Sequence, residues 1–140
     1  MTADPFRSYN FRVRLGGEEV AGFAEAEGMG GEVETVAYRE GGEGKGVRHL
    51  PGGMKTRPVT LKRGVARGDG LLRWFQNTSA GEVELRDVEI ALKDEAGRDA
   101  VIWRLHAAWV TSFRAGALDA ESGEMTLEAV TLAFDRVERG

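Results

Sequence analysis

The chain has no cysteine among its 140 residues. That excludes disulfides, thiol nucleophiles and every cysteine-containing metal set. Only two histidines are present, His49 and His106, so a zinc site would have to be completed by carboxylates, at no recognisable ligand spacing. No apolar run approaches the roughly 20 residues that a membrane-spanning helix needs. The opening Met1-Thr2-Ala3-Asp4-Pro5 lacks the basic and apolar regions of a secretory signal, which leaves a cytoplasmic chain as the simplest expectation. A basic surplus is missing too: 19 Lys and Arg stand against 23 Asp and Glu, a net charge of −4. No basic patch is interleaved with aromatics, which argues against a dedicated nucleic-acid binder.

What remains is an ordinary globular composition, 41% hydrophobic and 30% charged. A chain of this length forms one domain, residues 1–140, and buries roughly 70% of its unfolded surface. The stretch from Arg57 to Phe75 organises it. Val59 and Leu61 share one face of a short strand, with Thr60 and Lys62 on the other. Gly64 and Gly68 interrupt the run, and Asp69 stands at a helix N-cap position. Leu71, Trp74 and Phe75 then fall on one face of a helix over about Asp69–Asn77. A helix so short depends on packing, so its apolar face belongs on a sheet.

Strand patterns fill most of the rest. Tyr9, Phe11, Val13 and Leu15 alternate with Ser8, Asn10, Arg12 and Arg14, and Gly16-Gly17 reads as a hairpin turn. Val20 to Glu27 is the partner strand, with Val20, Gly22, Ala24 and Ala26 on one side. Glu32 to Glu40 is a third strand. Nine of the twenty glycines lie between Gly28 and Gly53, and Gly41 to Met54 has almost nothing to bury, which predicts a long loop over about 41–56 that a neighbour orders. Val88, Ile90 and Leu92 alternate; after a turn at Asp94 to Arg98, so do Val101, Trp103, Leu105, Ala107 and Trp109. In the last strand, Glu124 to Glu138, Met125 and Leu127 occupy odd positions but Val130, Leu132 and Phe134 even ones, which predicts a β-bulge or a change of sheet at Glu128-Ala129. The whole is mainly antiparallel β, a sandwich or barrel with one flanking helix. Phe11, Leu61, Leu71, Trp74, Phe75 and Trp103 are its expected core.

No constellation carries chemistry. Gly41-Gly42-Glu43-Gly44-Lys45-Gly46 invites a phosphate-loop reading, but Arg39 stands where the first glycine belongs and Gly46 replaces the magnesium-holding hydroxyl. The couple His106/Ser112 has no third group to orient it. Glu25/Glu27 and Glu32/Glu34 share strand faces, yet nothing beside them would raise a carboxyl pKa, and solvated faces explain them. The expectation is no enzyme, no cofactor and no metal; activity abolished by His106→Ala would be needed to revive one.

Several segments together resemble the tail-tube proteins of contractile phage tails and contractile injection systems, and are similar to the type VI secretion tube protein. They are Ala21-Gly22-Phe23 through Glu27-Gly28-Met29, Val36-Ala37-Tyr38-Arg39-Glu40-Gly41-Gly42, Leu50-Pro51-Gly52, Val59-Thr60-Leu61-Lys62-Arg63-Gly64-Val65 with its helix, Arg86-Asp87-Val88, and Val130 to Val137. The likeness runs through nearly the whole chain in order. It implies a structural subunit of an inner tube, built as hexameric rings that stack, with a lumen that conducts DNA or protein cargo. Sheath, baseplate or spike, and terminator proteins are the implied partners, in a phage tail or phage-tail-like particle.

The same resemblance makes Gly41, Gly42, Lys45, Arg48, Leu50, Pro51, Met54 and Lys55 an inter-ring loop. It assigns Arg12, Arg14, Phe23, Glu25, Thr60, Lys62 and Glu128 to inter-subunit or lumen strands. Unpaired strand edges are expected to be closed by neighbouring copies; if Val20 to Glu27 is such an inter-subunit strand, Ala24→Pro blocks rings and leaves a folded monomer, whereas global unfolding would make the strand internal to the domain. The alternatives are a baseplate-proximal tube initiator or adaptor of the same machine, and a monomeric β-barrel binding module.

Overall fold

The computed structural model describes residues 9–38, 48–119 and 124–140. The elements, in chain order, are β1 (Phe11–Leu15), β2 (Glu18–Glu27), β3 (Gly30–Tyr38), β4 (Arg48–Arg57), β5 (Val59–Arg67), α1 (Gly70–Ser79), β6 (Arg86–Lys93), β7 (Asp99–Asp119), β8 (Glu124–Ala133) and β9 (Arg136–Arg139). Neighbours run β6-β1-β2-β5-β8-β7-β9, all antiparallel, and β6 also pairs with β7. That pairing closes six strands into a barrel. β3 and β4 form a separate two-stranded sheet.

Closure bears on part of the strand Val20 to Glu27. β2 is paired with β1 along Glu18–Phe23 and with β5 along Ala21–Glu27, so its first part is a barrel stave with both edges taken, while Ala24 to Glu27 is paired on the β5 side only among the described residues.

Alternation builds the interior. Val13, Leu15, Val59, Leu61, Val88, Ile90 and Leu105 are buried, while the residues between them face out. Gly16 and Gly17, at φ of +60° and +83°, make the two-residue turn that joins β1 to β2. In β8, Met125 and Leu127 are buried and so are Val130, Leu132 and Phe134. The change of phase is a bulge: Arg114 pairs with Ala129 but Ala115 with Leu127, which leaves Glu128 as the extra residue. In β5 the interior positions move from Val59 and Leu61 to Ala66 across Arg63, which has φ of +53°. In β2 the inward Phe23 gives way to half-buried Ala26. Three adjacent strands therefore shift phase at one level.

Phe23 lies on β2, one of the strands expected to supply lumen or inter-subunit surface, but its side chain is fully buried in the core. A Cβ at Gly64 would overlap its ring and the Gly22 carbonyl oxygen, so glycine there makes the room. Trp109 is also displaced from the row shared with Trp103. Ala107 takes φ of +53°, β7 gains a residue opposite β6 between Arg86 and Val88, and Ala108 and Val110 become the buried positions.

Leu71 and Trp74 bury the inner face of α1. Phe75 stacks on Phe113 of β7 with ring centroids 5.8 Å apart, and the Trp74 indole N–H donates to the Glu84 carbonyl oxygen at 2.7 Å. Asp69 occupies the N-cap position, but its side chain makes no capping bond; it accepts from Arg73 at 2.8 Å instead.

Candidate assembly surfaces

The first surface is the β3–β4 ribbon. Opposed residues of β2 and β5 have numbers summing to 87, as in Glu27 and Thr60, and the first pairs of β3 and β4, such as Gly30 and Arg57, keep that sum. One ladder therefore runs from the barrel into the ribbon. It is interrupted where Pro58, which has no N–H to give, faces the turn at Gly28. Gly28 has φ of +84°, and a Cβ there would lie 2.9 Å from the Pro58 carbonyl oxygen. The Thr56 hydroxyl donates to the Phe134 carbonyl oxygen at 2.5 Å and fixes the root. Farther out, Val33 pairs with Met54 and Thr35 with Pro51, so Gly52-Gly53 absorbs an extra residue.

This corrects the expected loop. From Arg48 onward the segment is strand, and Arg48, Leu50, Pro51, Met54 and Lys55 lie on β4. Gly41, Gly42 and Lys45 fall outside the described residues. The ribbon packs extensively on no other element of the chain among the described residues.

The second surface is the outer wall of β2, β5 and β8. Lys62 meets Glu27 at 2.6 Å and Arg63 meets Glu25 at 3.0 Å. Thr60 and Thr131 share a hydrogen bond of 3.1 Å, and Arg114 lies 3.9 Å from Glu128. Glu25, Thr60, Lys62 and Glu128 thus come together on one polar, charge-paired wall. Exposed pairs of this kind stabilise by only about 0–1 kcal/mol each; their effect is to keep the wall wet and free of net charge excess.

Arg12 and Arg14 lie elsewhere, on the outer wall of β1 and β6. Arg12 is 4% exposed and donates to Tyr9 O and Glu19, each at 2.9 Å. Arg14 donates through both terminal nitrogens to Asp99, each at 2.9 Å; Lys93 reaches the same carboxylate at 2.8 Å. Hydrogen bonds from Arg14 and then Lys93 hold the Asp99 carboxyl well below the usual carboxylate range, and the Arg14 guanidinium is raised chiefly by Asp99. Both arginines are bound within their own chain. His106 faces out beside them, with Nδ1 3.7 Å from Asp87 and Nε2 3.4 Å from Glu138, and its Nε2 makes no hydrogen bond.

Of the expected core residues, Leu61, Leu71 and Trp74 are buried, while Phe11, Phe75 and Trp103 are half-buried. Among the described residues three large aliphatic side chains are exposed, with no signal in the sequence to mark them: Val33 on β3, and Val83 and Leu85 between α1 and β6. The run Val83-Glu84-Leu85 alternates like the start of a strand, so nothing in its pattern marks it as standing free.

No protein of curated function matches the sequence. Solved structures do. A chain of the anti-feeding prophage cap, the tube-terminating cap, is 29% identical with a TM-score of 0.67, over 100% of this chain and 93% of that one. A chain of the PVC sheath–tube complex, an extracellular contractile injection system in its extended state, is 26% identical with a TM-score of 0.68, over 97% and 91%. Hcp1 from Flavobacterium johnsoniae, at 9% identity and a TM-score of 0.51 over 94% and 95%, shares the fold. The family model described as T4-like virus tail tube protein gp19 matches residues 7–138, and the chain belongs to that tail-tube family.

Proposed function

We propose that this chain is the repeated inner-tube subunit of a contractile injection system or contractile phage tail, assembling into hexameric rings that stack inside a sheath above a baseplate. The observation that carries this reading is the ribbon. A two-stranded hairpin is marginal in water without a third strand or a helix to pack on, and β3–β4 finds neither in its own chain among the described residues. A second copy supplies what is missing. In this reading the segment from Gly41 to Lys55, of which Arg48 onward is β4, makes the contact between rings.

The wall of β2, β5 and β8 suits a lumen. Opposed charges are paired there and the surface is polar, so neither an anionic nucleic acid nor a folded protein finds a patch to adhere to. In this role the chain acts by shape and performs no catalysis.

A second reading, the tube terminator or adaptor, is favoured by the 29% identity to the cap chain. The short turns at Gly16-Gly17 and Asp94–Arg98 weigh for the repeated subunit, because they insert no further element into the barrel. Gel filtration of the purified chain separates the readings. Polydisperse tubes support the repeated subunit, a single ring that never stacks supports the terminator, and a monomer contradicts both.

A further inference from the structure

The two ends of the barrel are unlike. At the ribbon end, where β1, β5 and β7 begin, Phe11, Met29, Val59, Leu92 and Trp103 line an open, mainly apolar cavity of about 240 Å3. At the opposite end, where α1 leads into β6, Val83 and Leu85 are 59% and 55% exposed. Their segment is not loose. The Trp74 indole N–H holds the Glu84 carbonyl oxygen between them, so two aliphatic side chains stand in water on an anchored backbone.

Exposed aliphatic side chains at one end and an apolar hollow at the other cannot satisfy one another within a single copy. They can do so between copies stacked head to tail, in a contact that repeats without closing. Size agrees: an aliphatic cavity of roughly 150 Å3 admits a benzene-sized guest, so this one has room for a leucine side chain and part of a second. We infer that Leu85, with Val83 beside it, seats in the ribbon-end cavity of the next copy in the stack. The inference rests on the tube-subunit reading and adds the contact that sets the axial register.

The lack of native cysteine permits a clean test. Leu85→Cys combined with Met29→Cys, oxidised under assembly conditions, gives a ladder of covalent oligomers on a non-reducing gel, and either variant alone gives nothing beyond a dimer. Leu85→Asp folds as the unsubstituted chain does but lowers the fraction of stacked tubes at least tenfold. If tubes form, yet the double variant gives no ladder or Leu85→Asp stacks normally, the contact is wrong. A Met29→Cys thiol shielded from a maleimide in the free subunit also overturns it, because the cavity is then filled from within. If the unsubstituted chain forms neither rings nor tubes, the tube-subunit reading fails and takes this contact with it.

Discussion

Gly28 and Pro58 face one another where the barrel ladder becomes the ribbon, with the site of a Gly28 Cβ 2.9 Å from the Pro58 carbonyl oxygen. The positive φ of Gly28 and the missing N–H of Pro58 let one ladder keep its register while its hydrogen bonding is broken. Gly28→Ala adds both a left-handed backbone penalty of about 1–2 kcal/mol and a backbone clash. The expected outcome is an unfolding free energy from urea titration lowered by at least that amount and a larger loss of assembly, because the ribbon root is displaced. Assembly at the unsubstituted level would show that the root geometry is not needed.

Gly64 is a matter of packing. Its backbone is not left-handed, but a Cβ would overlap the Gly22 carbonyl oxygen and the Phe23 ring. Overpacking typically costs 1–3 kcal/mol, and a backbone atom cannot move aside as a side chain does, so Gly64→Ala should cost about 3 kcal/mol in chemical denaturation. A paired variant, Gly64→Ala with Phe23→Leu, should recover only the part due to the ring.

Trp74 serves two ends. Truncation to alanine should cost about 3–5 kcal/mol. Trp74→Phe keeps most of the packing and loses the bond to Glu84, about 1 kcal/mol. Hydrogen exchange should then speed up in residues 82–85 more than in α1.

Asp99 sets an acid dependence. Its carboxyl is depressed in the folded state, by Arg14 first and Lys93 second, so above the ordinary carboxylate pKa its ion pairs contribute in full. As pH falls below about 4, the unfolded chain takes up the proton first, and stability declines with falling pH. Solvent reaches these side chains, which limits the contribution to about 1 kcal/mol. Asp99→Asn should flatten the stability profile below pH ~4 and leave its shape at neutral pH unchanged; an unaltered acid limb would contradict this.

Much of the fold was legible in local pattern. Val13 and Leu15, Val59 and Leu61, and Val88 and Ile90 alternate as staves with one buried face, and the phase change around Glu128 announced its bulge. The misreadings share one cause. A positive φ at Ala107 or Arg63 is set by tertiary packing, and no residue type there signals it, so Trp109 falls out of the row that plain alternation gives it with Trp103. The burial of Phe23 depends on the space that Gly64 leaves across the ladder, a relation between strands that the pattern of β2 alone does not contain. Strand β4 was hidden because Pro51 and Gly52-Gly53 are loop residues by propensity, and only pairing with β3 makes them strand. Barrel closure through β6 and β7 is a relation between distant segments that no window of sequence contains.

Electron microscopy of the purified, unsubstituted chain tests the central claim most directly. The account predicts six-fold rings stacked into hollow tubes, with β2, β5 and β8 lining the channel and the ribbon reaching a neighbouring copy. Monomers at every concentration and salt, with the β3–β4 ribbon folded back on its own barrel, would contradict it.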